Sequence, residues 1–292
     1  MSTEKPIVCG KSAQISLIGD RMINQDRCIE IDSKPCTLLA LADGMGGHPR
    51  GESASQIFID TCKHYLKITP QPIINPGLFL TRLLHKAHEN ILTFGYEQTP
   101  PIEPRTTAVA VLIQNGNIYW AHAGDSRFYL IRKQRVAYRT TDHSYVERLL
   151  RNGLISADEQ NKHPQRNYVT RCLGGSTLLP NITLGKAGLD AGDMLLLCSD
   201  GLWGKISDEL ICEVLFNKSP LFEAVRFLAE EATQKGFPES DNVTLLAAQM
   251  IEGKQQKDET NANSAEEQEN LASAIAELQS AVDSFKSEKE SE

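Results

Sequence analysis

This chain of 292 residues lacks the segments that would place it in a membrane or on an export route. It contains no run of about 18 or more apolar residues, which a transmembrane helix would need. Its first residues, Met1-Ser2-Thr3-Glu4-Lys5-Pro6, do not follow the basic and then apolar layout of a secretion signal. We therefore expect a cytoplasmic protein with no membrane contact.

Paired cysteines are missing too. The seven cysteines stand singly, their number is odd and no Cys-x-x-Cys occurs. Zinc sites and disulfide frameworks both need cysteines at recurring spacings, so neither is predicted. We expect buried free thiols in a reducing compartment, none of them catalytic.

An excess of basic residues, the usual mark of a nucleic-acid-binding protein, is absent as well. The net charge is −8, and from Glu252 onward 11 acidic and 4 basic residues account for −7 of it. The remaining 27 acids and 26 bases leave the body of the chain near −1, with no basic stripe. Nucleic acid is therefore not expected as a partner.

The acidic C-terminal part is predicted to stand apart from the body. Residues 1–251 carry the patterns of one domain, whereas residues 252–270 are polar and predict a disordered linker. In residues 271–292, apolar side chains recur at alternating spacings of four and three, as in an a/d seam. Because this lasts only about two heptads, it predicts either an unstable amphipathic helix or a short coiled coil through which chains self-associate.

Within the body, strand patterns surround blocks of helices. The first three predicted strands follow one another directly, which favours an antiparallel meander. Asn115-Gly116 predicts a hairpin between the next two, and residues 128–132 are expected to continue the second of them. The predicted strands are 13–20, 28–31, 38–42, 106–113, 118–123, 193–198 and 243–248, and the predicted helices are 51–66, 77–94, 145–152, 207–216 and 220–235.

The stretch 38–47 joins a continuous apolar run to Asp43-Gly44 and then to a glycine-rich turn. Such a run is typical of a strand buried on both faces. The same order of apolar strand, aspartate and glycine returns at 193–201 with Asp200, and Asp241 precedes the last strand. Carboxylates at strand ends suit Mg²⁺ or Mn²⁺. Aspartate is also an ordinary turn residue, so the spacing alone leaves both interpretations open.

Six motifs in one order give the chain a specific resemblance. They are Arg21-x-x-Asn24-Gln25-Asp26, Asp43-Gly44-Met45-Gly46-Gly47, Thr106-Thr107, Gly124-Asp125-Ser126-Arg127, Ser199-Asp200-Gly201-Leu202 and Ser240-Asp241-Asn242-Val243-Thr244. The set, over about residues 14–249, resembles the bacterial branch of the metal-dependent (PPM, type 2C) serine/threonine protein phosphatases. The segments 163–166 and 171–174 resemble the flap region of that branch. The resemblance implies an α+β fold, a β-sandwich of two antiparallel sheets flanked by helices in four αββα layers, with a metal site at one end.

The resemblance also implies a ligand set for two Mn²⁺ or Mg²⁺ ions. Asp43 would bridge both ions, and the Gly44 carbonyl would join the second. Asp200 and Asp241 would complete the first, and Asp26 would approach the second. Asp43, Asp200 and Asp241, together with the phosphate-binding arginine, are therefore the expected catalytic residues.

Further positions follow from the same resemblance, and two of them differ from some of the relatives. Asp125, with Asp200, is expected to hold a third ion, and Arg21 to grip the substrate phosphate, for which its guanidinium fork is well shaped. Gln25 stands where some relatives carry a ligand glutamate. Met45 stands where eukaryotic relatives carry a histidine, so the general acid is left without a candidate.

The implied function is hydrolysis of phosphoserine and phosphothreonine on proteins. A hydroxide that bridges the two metal ions would attack phosphorus directly. The expected partners are phosphorylated proteins, in opposition to a bacterial serine/threonine kinase. Two other functions are left open: a catalytically inactive regulatory binding module of the same fold, and a hydrolase of small phosphoesters.

Several polar and aromatic residues beside these motifs have plainer interpretations. Arg127 is predicted to form a salt bridge in the core rather than to contact the phosphate, and His122 to be a core histidine with satisfied polar atoms. Asp142-His143 would either orient the flap or a water, or cap the following helix. Trp120 and Trp203 are predicted to serve packing.

Overall fold

The computed structural model describes residues 7–156, 159–160, 163–175 and 177–253. The chain divides after Gly253, and all of the described residues belong to the first unit, Met1–Gly253. The last strand of the first unit runs to Glu252, one residue past the predicted domain end. Nearly all of the predicted linker, and the whole of the predicted C-terminal helix with its self-association, lie outside the described residues.

Two antiparallel sheets of five strands each form the centre of the first unit. The strands are β1 (Ile7–Leu17), β2 (Asp26–Ser33), β3 (Cys36–Asp43), β4 (Arg105–Thr106), β5 (Ala108–Gln114), β6 (Asn117–Ala123), β7 (Arg127–Arg132), β8 (Arg135–Arg139), β9 (Leu173–Gly174), β10 (Thr183–Gly188), β11 (Met194–Cys198) and β12 (Val243–Glu252). The first sheet has the order β1-β12-β11-β7-β8 and the second the order β10-β6-β5-β3-β2. Strands β4 and β9 form a separate short ladder.

The described helices are α1 (Gly51–Ile68), α2 (Pro76–Tyr96), α3 (Tyr145–Arg151), α4 (Asp200–Trp203), α5 (Asp208–Asn217) and α6 (Leu221–Gly236). Helices α1 and α2 cover the outer face of the second sheet, and α5 and α6 cover that of the first. Among the described residues, no helix is both long enough and apolar enough to cross a bilayer.

Strand β3 shows why the sequence forms four layers. Leu38 and Ala40 belong to the core beneath α1 and α2, while Leu39 and Leu41 point the other way, into the core shared with Leu197 of the opposite sheet. Successive side chains of a strand alternate between faces, so a strand covered on both faces must be apolar throughout. A third core lies between the first sheet and helices α5 and α6. The predicted αββα sandwich is confirmed.

The predicted opening meander is wrong for its first strand. Strands β2 and β3 form the expected hairpin, but β1 pairs with β12 at the far end of the chain, with Ile15 opposite Leu245. The alternating pattern of β1 shows that one face is buried, yet it contains nothing that identifies a partner more than 200 residues away. This pairing brings the loop after β1 next to Asp241.

The predicted continuation of β6 into residues 128–132 is also wrong, because β6 and β7 belong to different sheets. The hairpin of β5 and β6 forms at Asn115-Gly116 as predicted, with positive φ at both residues. The chain then leaves the second sheet at Gly124, whose φ of 122° is accessible mainly to glycine. Asp125 follows directly, so this crossing sets it at one end of the sandwich.

Candidate metal centre

The hairpin of β2 and β3 builds the first half of the site. Asp26 begins β2, Asp43 ends β3, and the two are partners in the hairpin register. The Oγ1 atom of Thr107 accepts a hydrogen bond from the Asp43 N–H at 2.9 Å. A Cβ atom at Gly44 would lie 2.3 Å from the Gly51 carbonyl oxygen, so glycine is needed for helix α1 to begin this close.

The neighbouring strands β11 and β12 of the other sheet supply the second half. Asp200 begins α4 directly after β11, and Asp241 lies just before β12. Because these strands are antiparallel neighbours, the end of one and the start of the other share an edge of the sheet. The Ser199 hydroxyl donates a hydrogen bond to Asp26 Oδ2 at 2.7 Å and so links the two halves.

The carboxyl groups interact strongly with one another. The Asp43 carboxyl lies close enough to those of Asp26 and Asp200 to change the pKa of each of them. Burial raises the pKa of Asp43 well above its usual value, and the charges of Asp26, Asp200, Asp125 and Asp241 raise it further. Burial also raises the pKa of Asp26 to about 6 and that of Asp200 to about 7. After burial, the charge of Asp241 is the next largest cause of the raised pKa of Asp200. A cluster of this kind needs protons or cations to balance its charge.

The donor set fits a hard divalent cation. All of its side-chain donors are carboxylate oxygens, which suit Mg²⁺ and Mn²⁺ better than softer ions. Asp26 Oδ1 is buried and has no hydrogen-bond partner among the described residues. In the part of the chain that the structure describes, no three His, Cys, Asp or Glu side chains already stand at the distances of a closed metal cage. The predicted ligands are thus brought together, and their roles as ligands remain predictions.

Arg21 reaches the cluster from the loop between β1 and β2. Its Nη2 atom donates to Asp241 Oδ2 at 2.8 Å, while Asp241 Oδ1 accepts from the Asn242 N–H, also at 2.8 Å. The ion pair is open to solvent, with side-chain exposures of 55% for Arg21 and 37% for Asp241. An exposed pair of this kind exchanges easily for another partner of Arg21 or Asp241.

A cavity of about 820 Å³ opens over this end of the sandwich. Arg21, Asp200 and Asp241 line it, together with Arg166 and Lys205. Both signs of charge therefore line the cavity. A cavity of this volume admits a polar side chain together with a short stretch of its backbone.

Asp125 is held through its backbone next to this cavity. The indole N–H of Trp203 donates to the Asp125 carbonyl oxygen at 2.9 Å, and the Arg127 guanidinium stacks on the Trp203 ring at 3.7 Å. Arg127 also forms a bidentate pair with Asp142, with both N–O distances at 2.8 Å. The predicted core salt bridge of Arg127 is confirmed, and Trp203 does more than pack.

His143 connects this crossing to residues 170–171, because its carbonyl oxygen accepts from the Thr170 N–H at 2.7 Å, and the alternative that Asp142-His143 caps the following helix is wrong. The hydroxyl of Ser144 caps α3 by accepting from the Glu147 N–H. His143 Nδ1 accepts from the Gly124 N–H at 3.2 Å, and its ring stacks on His122 at 4.3 Å. Burial lowers the pKa of His143 to about 3. His122 is buried as predicted, but only its Nε2 has a partner among the described residues, so its polar atoms are not fully satisfied.

Three residues that hold the site had no predicted role. They are Thr107 beneath Asp43, Ser199 beside Asp26, and Asn242 next to Asp241. Each lies inside one of the six motifs, so membership in the motif was the available signal. Their individual contacts depend on which strands are neighbours, which the sequence does not show.

Once divalent cations are removed with EDTA, we expect the wild type to lose more stability than Asp43→Asn as the pH rises from about 4 to about 7. Burial raises the pKa of Asp43, that of Asp26 to about 6 and that of Asp200 to about 7, so these carboxyls bind more protons in the folded chain than in the unfolded chain over this range. Their contribution to the slope of the unfolding free energy with pH is negative, whereas the contribution of His143, whose pKa burial lowers, has the opposite sign and is common to both proteins. Thermal unfolding at several pH values, compared with Asp43→Asn, checks this. An equal slope in both proteins would contradict it.

The site's family relations are clear from the sequence. A family model described as "Protein phosphatase 2C" matches residues 14–250. The serine/threonine protein phosphatase PstP of Mycobacterium tuberculosis is 38% identical over 218 residues, which are 74% of this chain and 40% of PstP. The protein phosphatase PhpP of Streptococcus pneumoniae is 32% identical over 246 residues, 82% of this chain and 98% of PhpP. The chain therefore spans less than half of the mycobacterial relative and nearly all of the streptococcal one.

Solved structures give the same likeness in three dimensions. The crystal structure of M. tuberculosis PstP/Ppp has a TM-score of 0.73 and 33% identity, covering 85% of this chain and 100% of that chain. A structure of the PstP catalytic domain with two manganese ions has a TM-score of 0.69 and 32% identity, covering 84% and 99%. The segment matched by the family model contains every aspartate of the cluster.

Proposed function

This chain belongs to the protein phosphatase 2C family, and from that premise we propose that it is a metal-dependent serine/threonine protein phosphatase. The observation that carries the proposal is that Asp200 and Asp241 of the aspartate cluster line the same cavity as Arg21, which is paired with Asp241. The substrates are phosphoserine and phosphothreonine residues of proteins. The enzyme acts in the cytoplasm, opposite a bacterial serine/threonine kinase. The names of PstP and PhpP as protein phosphatases support this assignment.

The aspartate cluster would hold the metal ions. Asp43, the Gly44 carbonyl, Asp26, Asp200 and Asp241 would bind two Mn²⁺ or Mg²⁺ ions. When bound, such ions supply positive charge and lower the pKa of a coordinated water toward neutrality. The two manganese ions in the PstP catalytic domain support this choice of metal. Asp125, together with Asp200, would bind a third ion.

The protein's own groups bind and orient the phosphate ester. The planar fork of Arg21 can donate two parallel hydrogen bonds to phosphate oxygens, which a lysine cannot do. Its Nη2 already lies 2.8 Å from Asp241 Oδ2, so the guanidinium reaches the cluster without a change of the fold. Ser199 and Thr107 hold Asp26 and the Asp43 backbone in fixed directions. Cys198 is fully buried in the core, consistent with a reaction that uses no thiol nucleophile.

A substrate panel tests the proposed function. A phosphothreonine peptide, its phosphoserine and phosphotyrosine counterparts and a small aryl phosphate are assayed with Mn²⁺, with Mg²⁺ and with EDTA. We expect metal-dependent turnover of the first two peptides, and of the aryl phosphate at lower kcat/KM. Turnover of the aryl phosphate alone would favour a small-phosphoester hydrolase. No turnover of any ester would favour the inactive binding module and overturn the proposal.

Replacing Arg21 by alanine should weaken substrate binding. A hydrogen-bonded charge pair contributes about 1.5–3 kcal/mol, so kcat/KM for the phosphothreonine peptide should fall roughly 10- to 100-fold, chiefly through KM. Arg21→Lys should recover part of the loss, because it restores the charge without the fork. Steady-state kinetics with Mn²⁺ checks this. Arg226→Ala, which removes another exposed ion-paired arginine, is the matched control. Equal losses in Arg21→Ala and the control would contradict the assigned role.

A further inference from the structure

Asn242 is buried beside the metal centre, with 5% of its surface exposed, and its carboxamide faces the loop that carries Arg21. The Oδ1 atom accepts from the Gln25 N–H at 2.8 Å. The Nδ2 atom donates to the carbonyl oxygens of Ile18 at 2.8 Å and Ile23 at 3.2 Å. One side chain thus binds the loop backbone at both of its ends.

The backbone of Asn242 contacts the metal centre at the same time. Its N–H donates to Asp241 Oδ1 at 2.8 Å. A Cβ atom at Gly201 would lie 2.1 Å from the Asn242 carbonyl oxygen, so the start of α4, where Asp200 lies, rests directly on this residue. Asn242 therefore touches the Arg21 loop, Asp241 and the neighbour of Asp200.

The contacts require an asparagine. A carboxamide offers one acceptor and two donor hydrogens in a single plane, and all three are used here. Aspartate would lose both donors and would add a charge beside Asp241, whereas serine is too short to reach both ends of the loop. Among the described contacts, the Asp20–Ser240 hydrogen bonds and the Arg21–Asp241 ion pair are the other side-chain contacts between residues 18–23 and the segment just before β12.

The loop itself contains little that would hold it. Its residues between β1 and β2 form no helix or strand, and Met22 and Ile23 are 94% and 54% exposed. A loop with few buried side chains depends on its backbone anchors for a fixed shape. The position of the Arg21 backbone is therefore set largely by these anchors.

We infer that Asn242 is the positioning residue of Arg21: it holds the loop so that the guanidinium meets a substrate phosphate at the aspartate cluster. This rests on the proposed function, because it assigns Arg21 to phosphate binding. Asn242 acts through the loop backbone and does not itself contact substrate. Its loss should raise KM for a phosphate ester more than it lowers kcat.

A double-mutant cycle tests this inference. In the wild-type background, Asn242→Ala should raise KM for the phosphothreonine peptide about tenfold, with kcat changed less than about threefold. In the Arg21→Ala background, the same substitution should raise KM less than about twofold, since the group that Asn242 positions is already gone. Equal factors in both backgrounds would mean that Asn242 has only a structural role and would overturn the inference.

Hydrogen exchange supplies a readout that needs no catalysis. In Asn242→Ala, amides of residues 18–26 should exchange at least about tenfold faster while those of β5 and β6 stay unchanged. Unchanged exchange at 18–26 would overturn the inference whatever the kinetics. If the wild type turned over no ester, the proposed function would fail while this arm still decided whether Asn242 holds the loop.

Three further variants keep the outcome interpretable. Asn242→Ser is measured alongside in case the alanine variant does not fold. Asn90→Ala removes an asparagine of α2 that donates a hydrogen bond to Thr61 of α1, and Leu84→Ala lowers stability by opening the core beneath α1 and α2. Neither control should change KM. If Leu84→Ala raised KM as much as Asn242→Ala, general destabilisation would explain the result and the inference would be lost.

Discussion

Replacing Asp200 by asparagine should lower kcat/KM for a phosphothreonine peptide by at least about 10³-fold in Mn²⁺. The asparagine keeps the size of the side chain but removes a negative charge from the centre of the cluster. Asp200 faces Asp43, Asp26 and Asp241, so its charge adds to the attraction that the cluster exerts on a cation. Loss of that charge weakens the binding of the cation on which phosphate hydrolysis depends.

The same substitution should have the opposite effect on stability in EDTA. Because burial and the neighbouring acids raise the pKa of Asp200, its charged form opposes folding, and a neutral asparagine removes that repulsion. Thermal unfolding should therefore show Asp200→Asn at least as stable as the wild type without cations. With Mn²⁺, the wild type should gain more stability than the variant, since only the state that binds the ion is stabilised.

Asp190→Asn is the matched control for these measurements. Asp190 pairs with Arg132 on the surface, and its side chain is 64% exposed. We expect unchanged kinetics and less than about 1 kcal/mol of change in unfolding free energy. Retention of more than a tenth of wild-type kcat/KM by Asp200→Asn would argue against its place in the metal centre.

Much of the site could be predicted because its elements are encoded locally. Residues 38–44 by themselves indicate a strand that is buried on both faces and ends in a carboxylate. The same holds for Asp200 after β11. That these aspartates lie together did not follow from the spacing; it came from the resemblance, which carries the order of the strands. The described structure brings them together at one end of the sandwich.

The parts that were predicted wrongly depend on contacts between distant segments. Strand β1 has an alternating pattern that fits many partners, and its pairing with β12 is seen only in the folded sheet. Gly124 looks like an ordinary turn residue, yet its positive φ moves the chain from one sheet to the other. The role of Asn242 exists only once the loop after β1 lies against β12.

Replacing Asp142 by alanine should be among the most destabilising single changes near the site, at about 3–5 kcal/mol. The Arg127 and Asp142 side chains are only 10% and 4% exposed, and they meet through two hydrogen bonds of 2.8 Å. An arginine does not lose its proton in a protein, so the variant would leave a buried charge without its partner. A loss of this size corresponds to a fall of roughly 10 °C in the unfolding midpoint.

Two comparisons separate loss of the pair from loss of packing. The double variant Arg127→Met/Asp142→Leu removes both charges and should be more stable than Asp142→Ala, although it has more substitutions. Glu223→Ala removes an exposed partner of Arg226 and should change the unfolding free energy by less than about 1 kcal/mol. A double variant no more stable than Asp142→Ala would show that the unpaired charge is not the cause.

The effect of Asp142→Ala should also reach the cavity. Arg127 stacks on Trp203, and the Trp203 indole N–H holds the Asp125 carbonyl at 2.9 Å. Without its carboxylate partner, Arg127 is expected to turn toward water or toward the nearby acids. The guanidinium would then no longer stack on the Trp203 ring. Hydrogen exchange at residues 124–127 and 200–204 should therefore rise in Asp142→Ala and stay unchanged in Glu223→Ala. Unchanged exchange at both segments would mean that the ion pair stabilises the sandwich without fixing Asp125.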